Sequence, residues 1–196
     1  MLQRAEMTAV LMSGGKSSRM DFQPKQLLLF RGETFQARIL RQLKGFGECA
    51  VSGVMAVPGY PLWRDYHTGI GPIGGIEAAL RNAGADRVFI TACDTPLLTA
   101  DCIDWLIGSQ NASDTCLVPV SGGREHPMCA VYAKEMLPAL EAQIAAGRYR
   151  LRDFVRNAGA RYVTVPDCYA QDFLNVNTPE MLEILERSER GGQNHE

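Results

Sequence analysis

An apolar run, Thr8-Ala-Val-Leu-Met12, leads into Ser13-Gly14-Gly15, and the cations Lys16, Arg19 and Lys25 follow. Glycines let backbone N–H groups approach a ligand that a Cβ would hold off. Cations beside such a loop suit phosphate oxygens, so the segment reads as a polyphosphate site. Four other places carry chemistry. Asp94-Thr95-Pro96 follows the apolar stretch Arg87–Cys93. A carboxylate held there could grip Mg2+, which favours one or two carboxylates with phosphate oxygens and water. It could equally cap a turn, since Asp-x-Pro opens turns. Asn175-Val-Asn177 sets two amides on one face of an extended segment. Such amides bind phosphate, a pterin edge or metal-bound water, or they tie down a strand-to-helix turn. Gly123-Arg124-Glu125-His126-Pro127 offers a guanidinium and an imidazole for a phosphate or a proton, although loop histidines are often just solvated. Gly71-Pro72-Ile73-Gly74-Gly75 lets a base lie against backbone, or simply makes a tight turn into a helix.

Two familiar phosphate motifs fail. Gly15-Lys16-Ser17 resembles the end of a P-loop, but Val10 stands where that motif needs its first glycine. Gly69-Ile-Gly71-Pro-Ile-Gly74 matches the dinucleotide fingerprint formally, with Asp94 about twenty residues on. That fingerprint must leave a strand directly, and Pro61–Thr68 has no clean strand pattern.

The elements that must position these groups alternate between strand and helix periodicity. Strands are expected at Ala9–Met12, Cys49–Val57, Arg87–Cys93, Thr115–Val120, Met128–Tyr132 and Arg161–Val165. Helices are expected at Thr34–Lys44, Gly75–Ala83, Thr99–Ile107, Met136–Ala146 and Leu151–Asn157. Phe173–Asn177 reads as extended, with Thr178-Pro179-Glu180 opening a last helix. This alternation predicts a single-domain, three-layer α/β/α Rossmann-like fold. Its sheet is mostly parallel, with one antiparallel insertion near Gly122–His126. The domain is expected over 1–186 and a frayed tail over 187–196. Ligands of such sheets bind beyond the carboxyl ends of the strands, where the singled-out residues fall.

Composition narrows the classes. A chain of 196 residues with 46% hydrophobic content supports one ample core. A net charge of −2 gives no bulk attraction for nucleic acid or anionic membrane, so any anion site is local. No stretch approaches membrane-spanning length. The six cysteines form no CxxC and read as reduced packing residues of a cytoplasmic protein.

The order of these motifs resembles the molybdenum cofactor guanylyltransferase family, within the wider α/β nucleotidyltransferases. The likeness runs from residue 8 to about 185. Its carriers are Met12-Ser13-Gly14-Gly15 with Arg19-Met20 and Lys25, Gly71–Gly75, Cys93-Asp94-Thr95-Pro96, Glu125-His126-Pro127 and Asn175–Glu180. Asp21 replaces the family's glycine after Arg-Met, and Pro24 replaces the usual acid before the lysine. The resemblance implies transfer of GMP from GTP to the terminal phosphate of molybdopterin, with release of pyrophosphate and with Mg2+ as cofactor. It implies a nucleotide site at Met12, Ser13, Gly14, Gly15, Lys25, Ser52, Asp65, Gly71, Pro72 and Asp94. Arg19, Lys25 and Asp94 would act in catalysis, and Asp94 would hold the metal. His126, Asn175 and Asn177 would face the pterin. Molybdopterin-transfer proteins or recipient molybdoenzymes would be partners in hand-over. Three alternatives stay open: a cytidylyltransferase for the same pterin, a sugar-1-phosphate nucleotidyltransferase, and a non-catalytic pterin-binding relative.

Overall fold

A computed structural model of the chain describes residues 2–14, 24–176 and 181–183. The strands are β1 (Thr8–Ser13), β2 (Leu29–Phe30), β3 (Glu33–Thr34), β4 (Glu48–Gly53), β5 (Leu62–Trp63), β6 (Arg87–Ala92), β7 (Cys116–Ser121), β8 (Arg124–Glu125), β9 (Ala130–Ala133) and β10 (Arg161–Thr164). The helices are α1 (Phe35–Gln42), α2 (Pro72–Asn82), α3 (Ala100–Gly108), α4 (Leu137–Ala145) and α5 (Leu151–Asn157).

The main sheet has the order β10-β7-β9-β6-β1-β4-β5, with β8 beside β7. β1 is central and pairs in parallel with both β4 and β6. β9 runs against both β6 and β7, and the short β8 runs against β7. The chain moves outward from β1 to β4 and β5, then returns through α2 to β6 on the other side of β1. That reversal opens a crevice at the carboxyl edge. Because β9 is reversed, its entry, residues 126–129, arrives at the same edge as the ends of β1, β4 and β6.

Alternation along the buried strands makes the three layers. Ala9 and Leu11 face one core with Phe89, Val51 and Val131, packed against Ile39 of α1, Leu43 just after it, and Ile103 and Leu106 of α3. Val10 and Met12 face the other with Val88, Ile90 and Tyr132, against Ile76 and Leu80 of α2, Leu140 of α4 and Phe154 of α5. Each large side chain so enclosed contributes about 1.5–3 kcal/mol. Helix starts follow local rules: Thr34 Oγ1 accepts from the Ala37 N–H at 3.2 Å, and Thr99 Oγ1 from the Cys102 N–H at 3.3 Å. Four cysteines are buried, Cys49 is half-buried and Cys168 is exposed, and all six are free thiols.

The structure departs from the sequence expectations in several places. α2 starts at Pro72 rather than Gly75, because Gly71, at φ 80°, serves as the N-cap and lets proline take the first turn. The expected strand Cys49–Val57 stops at Gly53, and Val57 makes only an isolated bridge to Tyr60. Leu62–Trp63 is a strand after all, held in register by β4. β9 begins at Ala130 rather than Met128, since the Cys129 N–H closes a turn onto the His126 carbonyl at 2.9 Å. Phe173 does not begin an extended segment. It ends a 3-10 helix, Asp167–Phe173, pinned by Asp172 accepting from the Thr99 N–H at 2.7 Å and from its hydroxyl at 2.5 Å. A hairpin not foreseen, β2–β3, turns through Arg31 and Gly32, both at positive φ as a tight hairpin requires. The expected helix after Thr178 and the expected tail lie outside the described residues.

Candidate active site

The ends of β1 and β4 meet through glycine. A Cβ built on Gly53 would lie 2.6 Å from the Ser13 carbonyl oxygen, and one on Gly14 would lie 3.7 Å from the Gly53 Cα. Beside them a Cβ on Gly75 would meet the Met12 methyl at 2.0 Å and Ser52 Oγ at 3.3 Å. Met12, Ser52 and α2 therefore share one floor with no room for a further side chain. Ser52 Oγ is buried and has no hydrogen-bond partner among the described residues. The Ser13 hydroxyl donates to Gln36 Oε1 at 2.9 Å, which leaves its backbone rather than its side chain for a ligand. Gly71 and Pro72 start α2 at the same edge, where Pro72 has no N–H to leave unpaired and the Gly74 N–H donates to the Gly71 carbonyl at 3.2 Å, so the Ile73 N–H is the donor of that turn left facing out. Asp65 packs against that turn, with Oδ2 3.2 Å from where a Gly74 Cβ would be. Burial raises the Asp65 carboxyl above the ordinary carboxylate range, and the charge of Glu77 adds to the rise.

Asp94 follows β6 at the next position along the edge. Its carbonyl accepts from the Val176 N–H at 2.7 Å, which draws Asn175 to the site. Burial raises the Asp94 carboxyl, and the Lys25 ammonium pulls it down. A carboxylate kept in a desolvated place beside a lysine stands to gain from a second cation. Among the described residues no three His, Cys, Asp or Glu side chains cluster as a metal cage. A single hard carboxylate fits Mg2+ bound largely through substrate phosphates, and does not fit an all-protein zinc site. The neighbouring Cys93 thiol is pushed up to about 12, first by burial and then by Asp94, so it is no nucleophile at neutral pH.

His126 stands across from Asp94. The fully buried Tyr132 hydroxyl donates to the Pro127 carbonyl at 2.6 Å, which fixes the turn that carries the imidazole. The ring packs 4.9 Å from that of Phe173. Burial lowers the His126 pKa, with Arg124 and Arg152 pushing the same way, so the imidazole is neutral at pH 7.

One cleft of about 890 Å3 gathers Pro72, Asp94, His126 and Asn175. Its far wall is formed by Arg124, Tyr149, Arg150 and Arg152. Arg156 also reaches it but is paired with Glu125 at 2.8 Å. Sequence reasoning had offered Arg124 but missed Tyr149, Arg150 and Arg152. The available signal was four arginines within Arg148–Arg156 of a chain with net charge −2. The expected contributions of Gly15, Arg19 and Asn177 lie outside the described residues.

The MobA-like NTP transferase domain family matches residues 9–163. This chain belongs to that family. As a MobA-like NTP transferase domain it is similar to the molybdenum cofactor guanylyltransferase of Cereibacter sphaeroides. The two are 34% identical over 184 residues, covering 88% of this chain and 92% of that protein. Its fold is that of the molybdopterin-guanine dinucleotide biosynthesis protein A from Archaeoglobus fulgidus. The TM-score is 0.75 at 22% identity, over 94% of this chain and 99% of that one. The 2-C-methyl-D-erythritol 4-phosphate cytidylyltransferase from Thermus thermophilus shares the fold at TM-score 0.69 and 16% identity, over 92% of this chain and 98% of that one. The MobA-like domain has no helix long and apolar enough to cross a membrane among the described residues.

Proposed function

We propose that this chain transfers GMP from GTP to the terminal phosphate of molybdopterin and releases pyrophosphate. The observation that carries this reading is the single cleft in which Pro72, Asp94, His126 and Asn175 meet from four separate stretches of chain. The names of its relatives point the same way. The glycine floor, the start of α2 and Lys25 form the nucleotide side, with Ser52 and Asp65 completing it. His126, Asn175 and the arginine wall form the acceptor side.

The acceptor is a phosphate monoester, already anionic, so the residues need not supply a strong base. Their work is alignment and charge neutralisation. The Ile73 N–H and the positive end of α2 orient the triphosphate. Lys25 and the arginines hold two anions close together against their repulsion. The neutral imidazole of His126 donates or accepts a hydrogen bond without adding charge. Asp94 would hold Mg2+, which when bound neutralises charge on the transferred and leaving phosphates.

Calorimetric titration of GTP, CTP and ATP with Mg2+, followed by pyrophosphate release with molybdopterin, tests the reading. Binding and turnover with GTP are expected. Turnover with CTP in its place would overturn the nucleotide assignment, and binding without pyrophosphate release would overturn the transfer.

A further inference from the structure

Glu77 lies within α2 and its side chain is fully enclosed. Acids are rarely so placed without partners. Glu77 Oε2 lies 2.8 Å from His67 Nδ1, and Oε1 accepts from Arg81 Nε at 3.1 Å and Nη2 at 3.0 Å. Arg81 also reaches Glu141 of α4 at 2.9 Å, and its guanidinium lies 4.8 Å over the Tyr66 ring. The Tyr66 hydroxyl donates weakly to Asn82 Oδ1 at 3.5 Å. Two consecutive residues, Tyr66 and His67, are thus fastened to one helix by a charge network. The residue before them is Asp65. The loop lies directly on α2, since a Gly74 Cβ would come within 2.8 Å of the His67 carbonyl.

Stability alone is a poor account of this arrangement. Buried ion pairs are often no better than apolar residues of the same size, and their attested use is to fix one geometry among several. What this one fixes is the stretch that sets Asp65 against the first turn of α2. We infer that Glu77 is a positioning residue: through His67 and Arg81 it clamps the loop so that the Asp65 carboxylate is held ready for the nucleotide. The inference rests on the reading of Asp65 as a nucleotide contact.

GTP affinity, measured by calorimetry without acceptor, tests it in Asp65→Asn, Glu77→Gln, His67→Ala and the double variant Glu77→Gln/Asp65→Asn. Glu77→Gln and His67→Ala are each expected to weaken GTP about tenfold, with kcat at saturating GTP within about twofold. The double variant is expected to bind no more weakly than Asp65→Asn alone, because the clamp acts only through that carboxylate. The His67 ring is half exposed, so its removal reads the loop end of the clamp without opening the core, even if Glu77→Gln folds poorly. Full additivity in the double variant would overturn the clamp. So would unchanged affinity in His67→Ala while Asp65→Asn weakens GTP. Unchanged affinity in Asp65→Asn would overturn the reading of Asp65 and the clamp with it.

Discussion

The two sides of the proposed site are built by opposite means. The β1, β4 and α2 side uses missing side chains: Gly53 and Gly74 let main chain approach main chain, and Gly75 makes room for the Met12 side chain. The β7, β9 and α5 side uses long side chains, Arg124 from β8 and Arg150 and Arg152 from the start of α5. The difference predicts how each side fails. A backbone site is damaged by adding atoms, and the damage spreads into folding. A side-chain site is damaged by removing atoms, and the damage stays in binding.

Asp94 stands between the two sides and gives the largest effect. Asp94→Ala is expected to lower pyrophosphate release by about 10²–10³-fold. Its melting temperature should hold or rise, because burial already disfavours the ionised carboxylate in the folded state. A large drop in melting temperature would make Asp94 a structural residue. On the glycine side, Gly53→Ala would drive a methyl into the Ser13 carbonyl, backbone against backbone, and should cost about 1–3 kcal/mol in urea unfolding. Gly75→Ala meets the flexible Met12 instead, so it should lose less stability while weakening GTP. If both variants were as stable as the parent, the backbone side would not be tightly built. On the arginine side, Arg150→Ala should weaken the acceptor about tenfold while changing stability by no more than about 0.5 kcal/mol and leaving GTP affinity alone. Comparable loss of GTP affinity would merge the two sides into one.

The smallest effect concerns pH. Folding lowers the His126 pKa below its ordinary 6.5, so below that pH the unfolded chain binds more protons than the folded one. Stability contributed by the neutral ring is therefore present above 6.5 and lost as pH falls through the window beneath it. His126→Gln should flatten the dependence of urea midpoint on pH in that window. An unchanged slope would assign it to other groups.

Much of this was legible in the chain itself because the signals are local. Threonine before an apolar period marked the starts of α1 and α3, and the run Thr8–Met12 read as a buried strand because both of its faces are covered. The glycine floor was visible for the same reason: Gly14 and the Gly71–Gly75 segment stand directly at element ends. What escaped depends on distant partners. Leu62–Trp63 becomes a strand only because β4 offers an edge, and Asp167–Phe173 coils only because Thr99 captures Asp172. The arginine wall was hidden similarly. Nothing near Arg150 in sequence says that α5 ends up beside Asp94; the reversal of β9 and the placement of β10 decide it. Ser52, taken from the family resemblance as a small polar residue after the second strand, lies inside β4 beside Met12 and Gly75, a contact that neither spacing nor the resemblance foretold.

The bond from the Val176 N–H to the Asp94 carbonyl has a consequence for biosynthesis. Val176 also packs with Phe30 and Phe35, near Leu97. Among the described residues the main sheet has all its strands once β10 is made, yet the Asp94 carbonyl has no donor from Val176 until residue 176 has left the ribosome. The stretch that carries Asp94 is thus closed from behind by a segment made some eighty residues later, so one of the last segments of the fold to be synthesised is the one that braces it.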